Sequence, residues 1–305
     1  MAYYNSNKSY RTHKAYTGVD REAQANQLQL TVARVASYAF LVFVTFISLF
    51  PIVLLIINST RSGSQLQAGF SLLPGTSLGK NLKAALTATT IDLPHGLLNS
   101  FIIAACVCVV TTYFSAMTAY GVHVYDFRLK KIVFNFILII MMIPTQVSAV
   151  GFIKLVYGWK LTNNFLPLII PAVASPAVFF YMKQYLESAF PIDVVEAARV
   201  DGSNEFATFN TIALPMMKPA MAVQLIFSFV ASWNNFFTPA LILTDSKKQT
   251  LPIMISKLKS MQLSGNSDLG QIYMVILISI IPVVIVYFFI SKNIVEGVAL
   301  GAVKG

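Results

Sequence analysis

Residues 35–57 read VASYAFLVFVTFISLFPIVLLII, an apolar run without a single charged side chain. A helix rises about 1.5 Å per residue, so roughly 20 apolar residues cross a hydrocarbon layer about 30 Å thick. In lipid an isolated span satisfies its backbone polar groups only by bonding to itself, which makes the run a helix. Outward from it, comparable blocks fall at about 98–122, 132–156, 164–186, 216–243 and 271–291. The expected fold is all-α, a polytopic membrane protein with six transmembrane helices.

Composition agrees. Hydrophobic residues make up 56% of the chain, charged residues 11%, and the mean hydropathy is +0.68, whereas about a quarter of a globular chain is charged. The net charge of +10 is dispersed through loops and tail and not gathered in one stripe. Anionic headgroups of the lipid bilayer are therefore the expected counterpart, and no nucleic acid. Cys106 and Cys108 sit two apart in an apolar run, where they point to different sides of a helix and no second pair completes a metal site. They read as packing residues, and no metal is expected. His13, His95 and His123 are scattered over arm, outer loop and span end, so no catalytic residue is expected and the chain does not read as an enzyme. The stretch from Gly75 through Gly79 and Lys80 to Asn81 comes near a nucleotide loop. It lacks one spacer residue and the Ser or Thr after the lysine, so no nucleotide-binding loop is expected in this chain.

Residues 1–34 form a polar arm in which Lys8, Arg11, Lys14, Arg21 and Arg34 are opposed by Asp20 and Glu22. No short apolar core with a cleavage site follows, so no removable signal peptide is expected. Six spans return both termini to one side. The arm, Arg128, Lys130, Lys131, Lys183, Arg199, Lys218, Lys292 and Lys304 share that side, which makes it cytoplasmic by the positive-inside rule. The membrane-spanning domain is taken as 35–293 and the cytoplasmic tail as 294–305. Two outer segments, 58–97 and 244–270, are long for connectors and are natural places for a partner to dock.

One cytoplasmic segment stands apart: residues 191–215, PIDVVEAARVDGSNEFATFNTIALP. Pro191 suits a helix start, Asp193 favours the positive end of the helix dipole, Gly202 suits a left-handed exit, and Pro215 marks a second stop. The segment is predicted to be helix, turn, helix. Ile192, Val195 and Arg199 are expected on one face of the first helix, with Ala197 and Ala198 letting another backbone come close. Phe206, Phe209 and Ile212 or Ala213 recur at helical spacing in the second. A loop with an apolar face and small residues fits a groove on a partner.

Glu196-Ala197-Ala198, then Asp201-Gly202, then Ile212 to Leu214-Pro215 resembles the EAA loop by which ATP-binding-cassette importer permeases grip their ATPase subunits. The end of the chain, Gly297 to Gly305, is similar to the tail of carbohydrate-importer permeases like the second maltose-transporter subunit. Asn99-Ser100, Pro144-Thr145-Gln146 and Trp233-Asn234 agree with that family. Ser291-Lys292-Asn293 departs from it, and the arm up to Gln27 has no counterpart. The resemblance implies a type I ABC importer permease fold in a bacterial cytoplasmic (inner) membrane, forming half of the pathway for a carbohydrate, an oligosaccharide. It implies a second permease subunit as heterodimer partner, two ATPase subunits that bind ATP and Mg, and an extracytoplasmic substrate-binding protein. On the same resemblance Glu196, Ala197, Ala198, Asp201, Gly202, Leu214 and Pro215 couple to the ATPase, and Gly301, Lys304 and Gly305 of the tail contact it.

Polar residues inside apolar spans usually face the protein interior or an aqueous cavity. Those here are Asn99, Gln146, Asn163, Gln224, Trp233, Asn234 and Asn235. Aromatic faces and amides suit a sugar, although hydrogen bonding between helices accounts for the same residues. Gln146, Trp233, Asn234 and Asn235 are the candidate substrate path. An ion-coupled secondary transporter would carry an acid near mid-membrane, and none of the six blocks has one at its centre. A non-sugar solute in the same importer class is the second reading.

Overall fold

The computed structural model describes the backbone of residues 2–265 and 267–302 and the side chains of 30–144, 146–265 and 267–291. Among the described residues the regular structure is entirely helical. In chain order the helices are α1 (Ala2–Ser59), α2 (Gly63–Gln67), α3 (Leu78–Leu86), α4 (Leu93–Val124), α5 (Lys130–Met141), α6 (Thr145–Gly158) and α7 (Leu166–Ile169). Then come α8 (Pro176–Ala189), α9 (Asp193–Val200), α10 (Glu205–Thr208), α11 (Leu214–Met216), α12 (Lys218–Trp233), α13 (Phe237–Ile242), α14 (Leu251–Leu263) and α15 (Leu269–Ala302).

Four stretches are long and apolar enough to cross a membrane as they stand: Leu30–Ser59, Leu93–Val124, Leu166–Ala189 and Leu269–Ser291. The blocks expected as the third and fifth spans are not single helices. The third is α5 followed by α6, turned by 95° at a break where Pro144 has no N–H to donate and restricts Ile143 before it. The fifth ends at Trp233 and does not run on to 243. Asn234 and Asn235 close the helix with local bonds from their N–H groups to Val230 and Ser232 carbonyls, at 3.0 and 3.1 Å, and α13 follows as a separate piece. The last helix continues unbroken from Leu269 to Ala302, through residues expected to form a separate tail. Lys304 and Gly305 lie outside the described residues, and of Gly301 only the helical backbone is described.

The chain divides into two units, 1–57 and 58–305. The first is α1 alone, helical without interruption through the expected arm boundary at residue 34. In the second, α4 is the centre, packed along α8 and α12, with α12 also packed along α15. Its sequence explains this. Ala104, Thr112, Ser115, Ala116 and Ala119 are all buried, and small side chains let neighbouring backbones approach where lipid gives helices no hydrophobic reason to associate.

Of three buried apolar clusters, a small one joins Val156, Ile242 and Leu243, and two larger ones lie toward the two ends of α4. Near its C-terminal end Tyr120 packs with Phe179, Met182, Leu186, Phe190, Phe209 and Met217. Near its N-terminal end Leu93 and Ala104 pack with Phe229, Trp233, Leu251, Met254, Leu258 and Val275.

Candidate functional site

The segment 191–215 grows out of the first of these clusters. Asp193 and Glu196 lie in the first turn of α9 and Arg199 in its last, which complements the helix dipole at both ends. Gly202 has φ +80°, the left-handed exit expected of it. Its N–H donates to the Arg199 carbonyl at 3.0 Å, and the Ser203 N–H donates to the Ala198 carbonyl at 2.9 Å. This pair of bonds is a Schellman closure. The Asn204 side chain then accepts from the Ala207 N–H at 2.8 Å and starts α10.

The second helix departs from expectation. Pro215 does not stop it: α10, a π turn over Phe209–Ala213 and α11 run on to Met216. The wider π turn gives the proline ring room against the preceding carbonyls. The chain instead turns by 80° between Glu205–Met216 and Lys218–Trp233. Pro219 has no N–H to offer the Pro215 carbonyl, so the ladder cannot continue straight.

Burial sorts the segment into two faces, and not as the spacing predicts. Val195, Ala198, Phe209 and Ala213 are buried in the cluster around Tyr120. The Phe209 ring lies 5.3 Å from Tyr120 and 5.8 Å from Tyr113. The Tyr113 hydroxyl donates to Asn210 Oδ1 at 3.0 Å, and the Tyr185 hydroxyl to the Met216 carbonyl at 3.2 Å. Ile192, Glu196, Ala197, Asp201, Gly202 and Pro215 are exposed and Leu214 is half-buried. Val200 is 88% and Phe206 68% exposed, apolar surface that water disfavours. Thus Ile192 and Arg199 do not share the burial of Val195, nor Phe206 that of Phe209. Of the alanine pair, Ala197 faces out while Ala198 belongs to the core.

A charged knot fixes the turn. Arg199 Nε donates to Glu205 Oε1 at 2.8 Å, and the Tyr125 hydroxyl to Glu205 Oε2 at 2.5 Å. The guanidinium also lies 5.5 Å from the centre of the Tyr125 ring. The Arg199 guanidinium, and then the Tyr125 hydroxyl, hold the Glu205 carboxyl below the usual range. Burial, followed by its bond to that carboxylate, pushes the Tyr125 phenol up to about 12. Sequence reasoning passed over Glu205 and Tyr125. Opposite charges six residues apart across a glycine turn were a usable signal for Glu205, but nothing local points to Tyr125.

The candidate path residues do not converge. Asn235 lines a cleft of about 710 Å³ between α4, α6, α8 and α12, together with Thr111, Ser148, Ser175, Ser228 and Ser232. Trp233 and Asn234 line a separate cavity of about 250 Å³ against α14. The Trp233 ring is buried and stacked on Phe229 at 5.8 Å and 19°. Gln146 is exposed and borders neither space.

Two other amides expected within spans hold loops, and Asn163 itself lies in the connector between α6 and α7. Asn99 Nδ2 donates to the Lys247 and Gln249 carbonyls at 2.8 and 3.0 Å. Asn163 has φ +57°. It accepts from the Thr244 and Asp245 N–H groups at 2.7 and 2.8 Å.

Comparison with known proteins bears on the whole of this framework. The profile of the family described as binding-protein-dependent transport system inner membrane component matches residues 109–299, from the middle of α4 through the 191–215 segment into α15. The chain is 34% identical over 287 residues to the arabinooligosaccharides transport system permease protein AraQ of Bacillus subtilis (strain 168), covering 91% of this chain and 98% of that protein. It is 32% identical to the trehalose/maltose transport system permease protein MalG of Thermococcus litoralis, over 87% of this chain and 94% of that one. It is 27% identical to the sn-glycerol-3-phosphate transport system permease protein UgpE of Salmonella typhi, over 86% and 94%. Among solved structures, a chain of a bacterial ABC transporter involved in import of the acidic polysaccharide alginate superposes with a TM-score of 0.71. That match is at 21% identity and covers 86% of this chain and 96% of that one.

Proposed function

The chain belongs to the family of binding-protein-dependent transport system inner membrane components, and from that premise we propose that it is one of two permease subunits of an ATP-driven oligosaccharide importer. Its six spans, two of them bent, keep both termini and the 191–215 segment in the cytoplasm. There the segment seats in a groove of an ATPase subunit. ATP and Mg bind to that subunit, and this chain supplies no catalytic group. A second permease completes the pathway, a substrate-binding protein delivers the solute from outside, and Gly301, Lys304 and Gly305 reach toward the ATPase pair.

The observation that carries this reading is the two-sided segment. Val200, Phe206 and Ile192 present an apolar face beside Glu196 and Asp201, while Val195, Phe209 and Ala213 root the opposite face between α4 and α8. A patch so rooted moves only with the bundle, so a rigid-body displacement of the ATPase passes into the spans. Glu196 offers a carboxylate to a basic group in the groove. Gly202 and the Arg199–Glu205–Tyr125 knot keep the patch in one shape.

The large cleft supports a neutral, hydroxyl-rich solute. Its lining is hydroxyls, the Asn235 amide and apolar groups, with no charged side chain. Hydroxyls and amides both donate and accept, which suits a sugar, whereas an isolated phosphate in such a space would lack a counter-charge.

The test uses the complex assembled with its ATPase and second permease. Glu196→Lys and Phe206→Asp are expected to leave the chain inserted and its thermal unfolding unchanged. Recovery of the ATPase and ATP-dependent uptake should fall by an order of magnitude or more, as for the loss of an interface anchor. Normal uptake by both variants in vesicles would sink the assignment. Faster uptake of sn-glycerol 3-phosphate than of an arabinose or maltose oligomer would overturn the substrate class alone.

A further inference from the structure

The connector between the first two spans carries chemistry that the transport mechanism leaves unused. From residue 58 to residue 91 it contains Arg61, Lys80 and Lys83 and no Asp or Glu. Arg61 is buried and spends its guanidinium on Asn58 Oδ1 and on the Gln65 and Gly69 carbonyls. Lys80 and Lys83 are exposed on α3. That helix has a buried side of Asn81 and Ala85. It also has an outward stripe of Leu78, Leu82 and Leu86, which are 48%, 41% and 53% exposed. At about 100° per residue the leucines occupy one arc beside the buried side, and the two lysines follow on the next arc.

The depth of α3 is fixed by its bonds. Asn81 Nδ2 donates to the Ser59 and Arg61 carbonyls at 2.8 and 2.9 Å. Gln271 Nε2 donates to the Ala84 carbonyl at 3.0 Å. Gly270 comes so close that a Cβ there would meet Asn81 Oδ1 at 2.6 Å. Gln271 and Gly270 belong to the first turn of α15, where the apolar span Leu269–Ser291 begins. A helix held across the first turn of a span lies at headgroup depth.

We propose that α3 is an interfacial helix that lays Leu78, Leu82 and Leu86 into the headgroup–acyl boundary while Lys80 and Lys83 pair with anionic lipid headgroups. Three arcs around one short helix meet three surroundings: protein at Asn81 and Ala85, acyl chain at the leucines, phosphate and water at the lysines. The lysine stems reach from the apolar boundary to the phosphates. Lys80 and Lys83 present a basic strip that matches an anionic bilayer, while the nearby acids are otherwise engaged: Asp268 accepts from the Gly270 N–H and lies against Gly63, and Asp92 pairs with His95. The anchor would steady the outer ends of the second and last spans during rocking.

The full-length chain is assembled in its complex and reconstituted in phosphatidylglycerol-containing and phosphatidylcholine-only bilayers. With Cys106 and Cys108 replaced by alanine, spin labels at Leu82→Cys and Lys83→Cys are read for collision with oxygen and with a water-soluble nickel chelate. The expected result is a lipid-like, oxygen-rich environment at 82 and a nickel-accessible one at 83. In protein that retains both cysteines, Lys80→Gln with Lys83→Gln should lower co-purified phosphatidylglycerol by about 25-fold, the product of the roughly fivefold expected for each surface lysine. Three outcomes would each overturn the proposal. A label at 82 shielded from both reagents means that protein covers the stripe. A label at 82 as nickel-accessible as that at 83 means that it faces water. An unchanged lipid content in the lysine variant means that the charges do not select headgroups.

Discussion

The two ends of α4 are held by different chemistry. Tyr120 and Asn99 stand 21 residues apart on that helix, roughly 32 Å at 1.5 Å per residue. At the Tyr120 end the 191–215 segment is anchored by volume, with Phe209, Met217, Val195 and Ala213 buried among aromatic and aliphatic side chains. At the Asn99 end the connectors are keyed by amides and hydroxyls reading backbone groups. Asn81 holds the Ser59 and Arg61 carbonyls, Asn99 holds Lys247 and Gln249, and Ser100 Oγ accepts from the Leu251 N–H at 2.8 Å. Apolar contact is non-directional, so it carries a push while the surfaces shift slightly. Hydrogen bonds to backbone are directional and lose strength when misaligned, so they fix register. In the proposed function the end that receives a partner's movement is the one where packing dominates, and the opposite end adds directional bonds to its own apolar cluster of Leu93, Leu251, Met254 and Leu258.

The sharpest way to break this comparison is to empty the packed end. Phe209→Ala removes a ring that is 2% exposed and is expected to cost about 3 kcal/mol or more. It should lower the thermal unfolding temperature in detergent and weaken ATPase recovery together. A variant that melts normally would show that packing does not hold that end.

Next in size, Asn81→Ala withdraws one donor group from two carbonyls at the keyed end, for about 2 kcal/mol. Hydrogen exchange should rise over residues 58–70 and stay unchanged over 191–215. Faster exchange at both ends would mean that they are not separable.

The smallest effect belongs to Gly202→Ala. No atom lies within 4 Å of the added Cβ and only the φ of +80° resists it, so the cost is about 1 kcal/mol. Gly202→Asn should recover part of it, because asparagine tolerates the left-handed region. Equal melting of glycine and alanine forms would remove the conformational argument for this turn.

Much of this was legible in the residues. The apolar blocks gave the membrane class, because backbone satisfaction in lipid leaves one solution for an isolated span. The start at Asp193, the exit at Gly202 and the restart after it followed from local backbone chemistry and appear where expected. The faces did not. Val195 and Ile192, or Phe209 and Phe206, share helical spacing arguments but not surroundings, because spacing identifies a stripe without saying how wide it is or which edge meets the core. The proline at 215 was read as a stop on its ring alone, whereas a π turn ahead of it makes room.

The candidate path shows the same limit. Trp233, Asn234 and Asn235 are adjacent in sequence and divide between two cavities, since the helix ends just there and successive residues leave it in different directions.

The sequence by itself determined a membrane-spanning helical chain, with a short helix–turn–helix segment whose start and turn are set by Asp193 and Gly202. Each of those depends only on the few residues around it. Tertiary structure alone decided that Val195 and Phe209 are rooted while Val200 and Phe206 are free. It also closed Glu205 on Tyr125, a partner 80 positions earlier in the chain, and set α3 across the first turn of α15. These outcomes depend on which surfaces meet at long range. Hydrophobic pattern ranks the residues that should be buried, but only the packed neighbour decides which of them are.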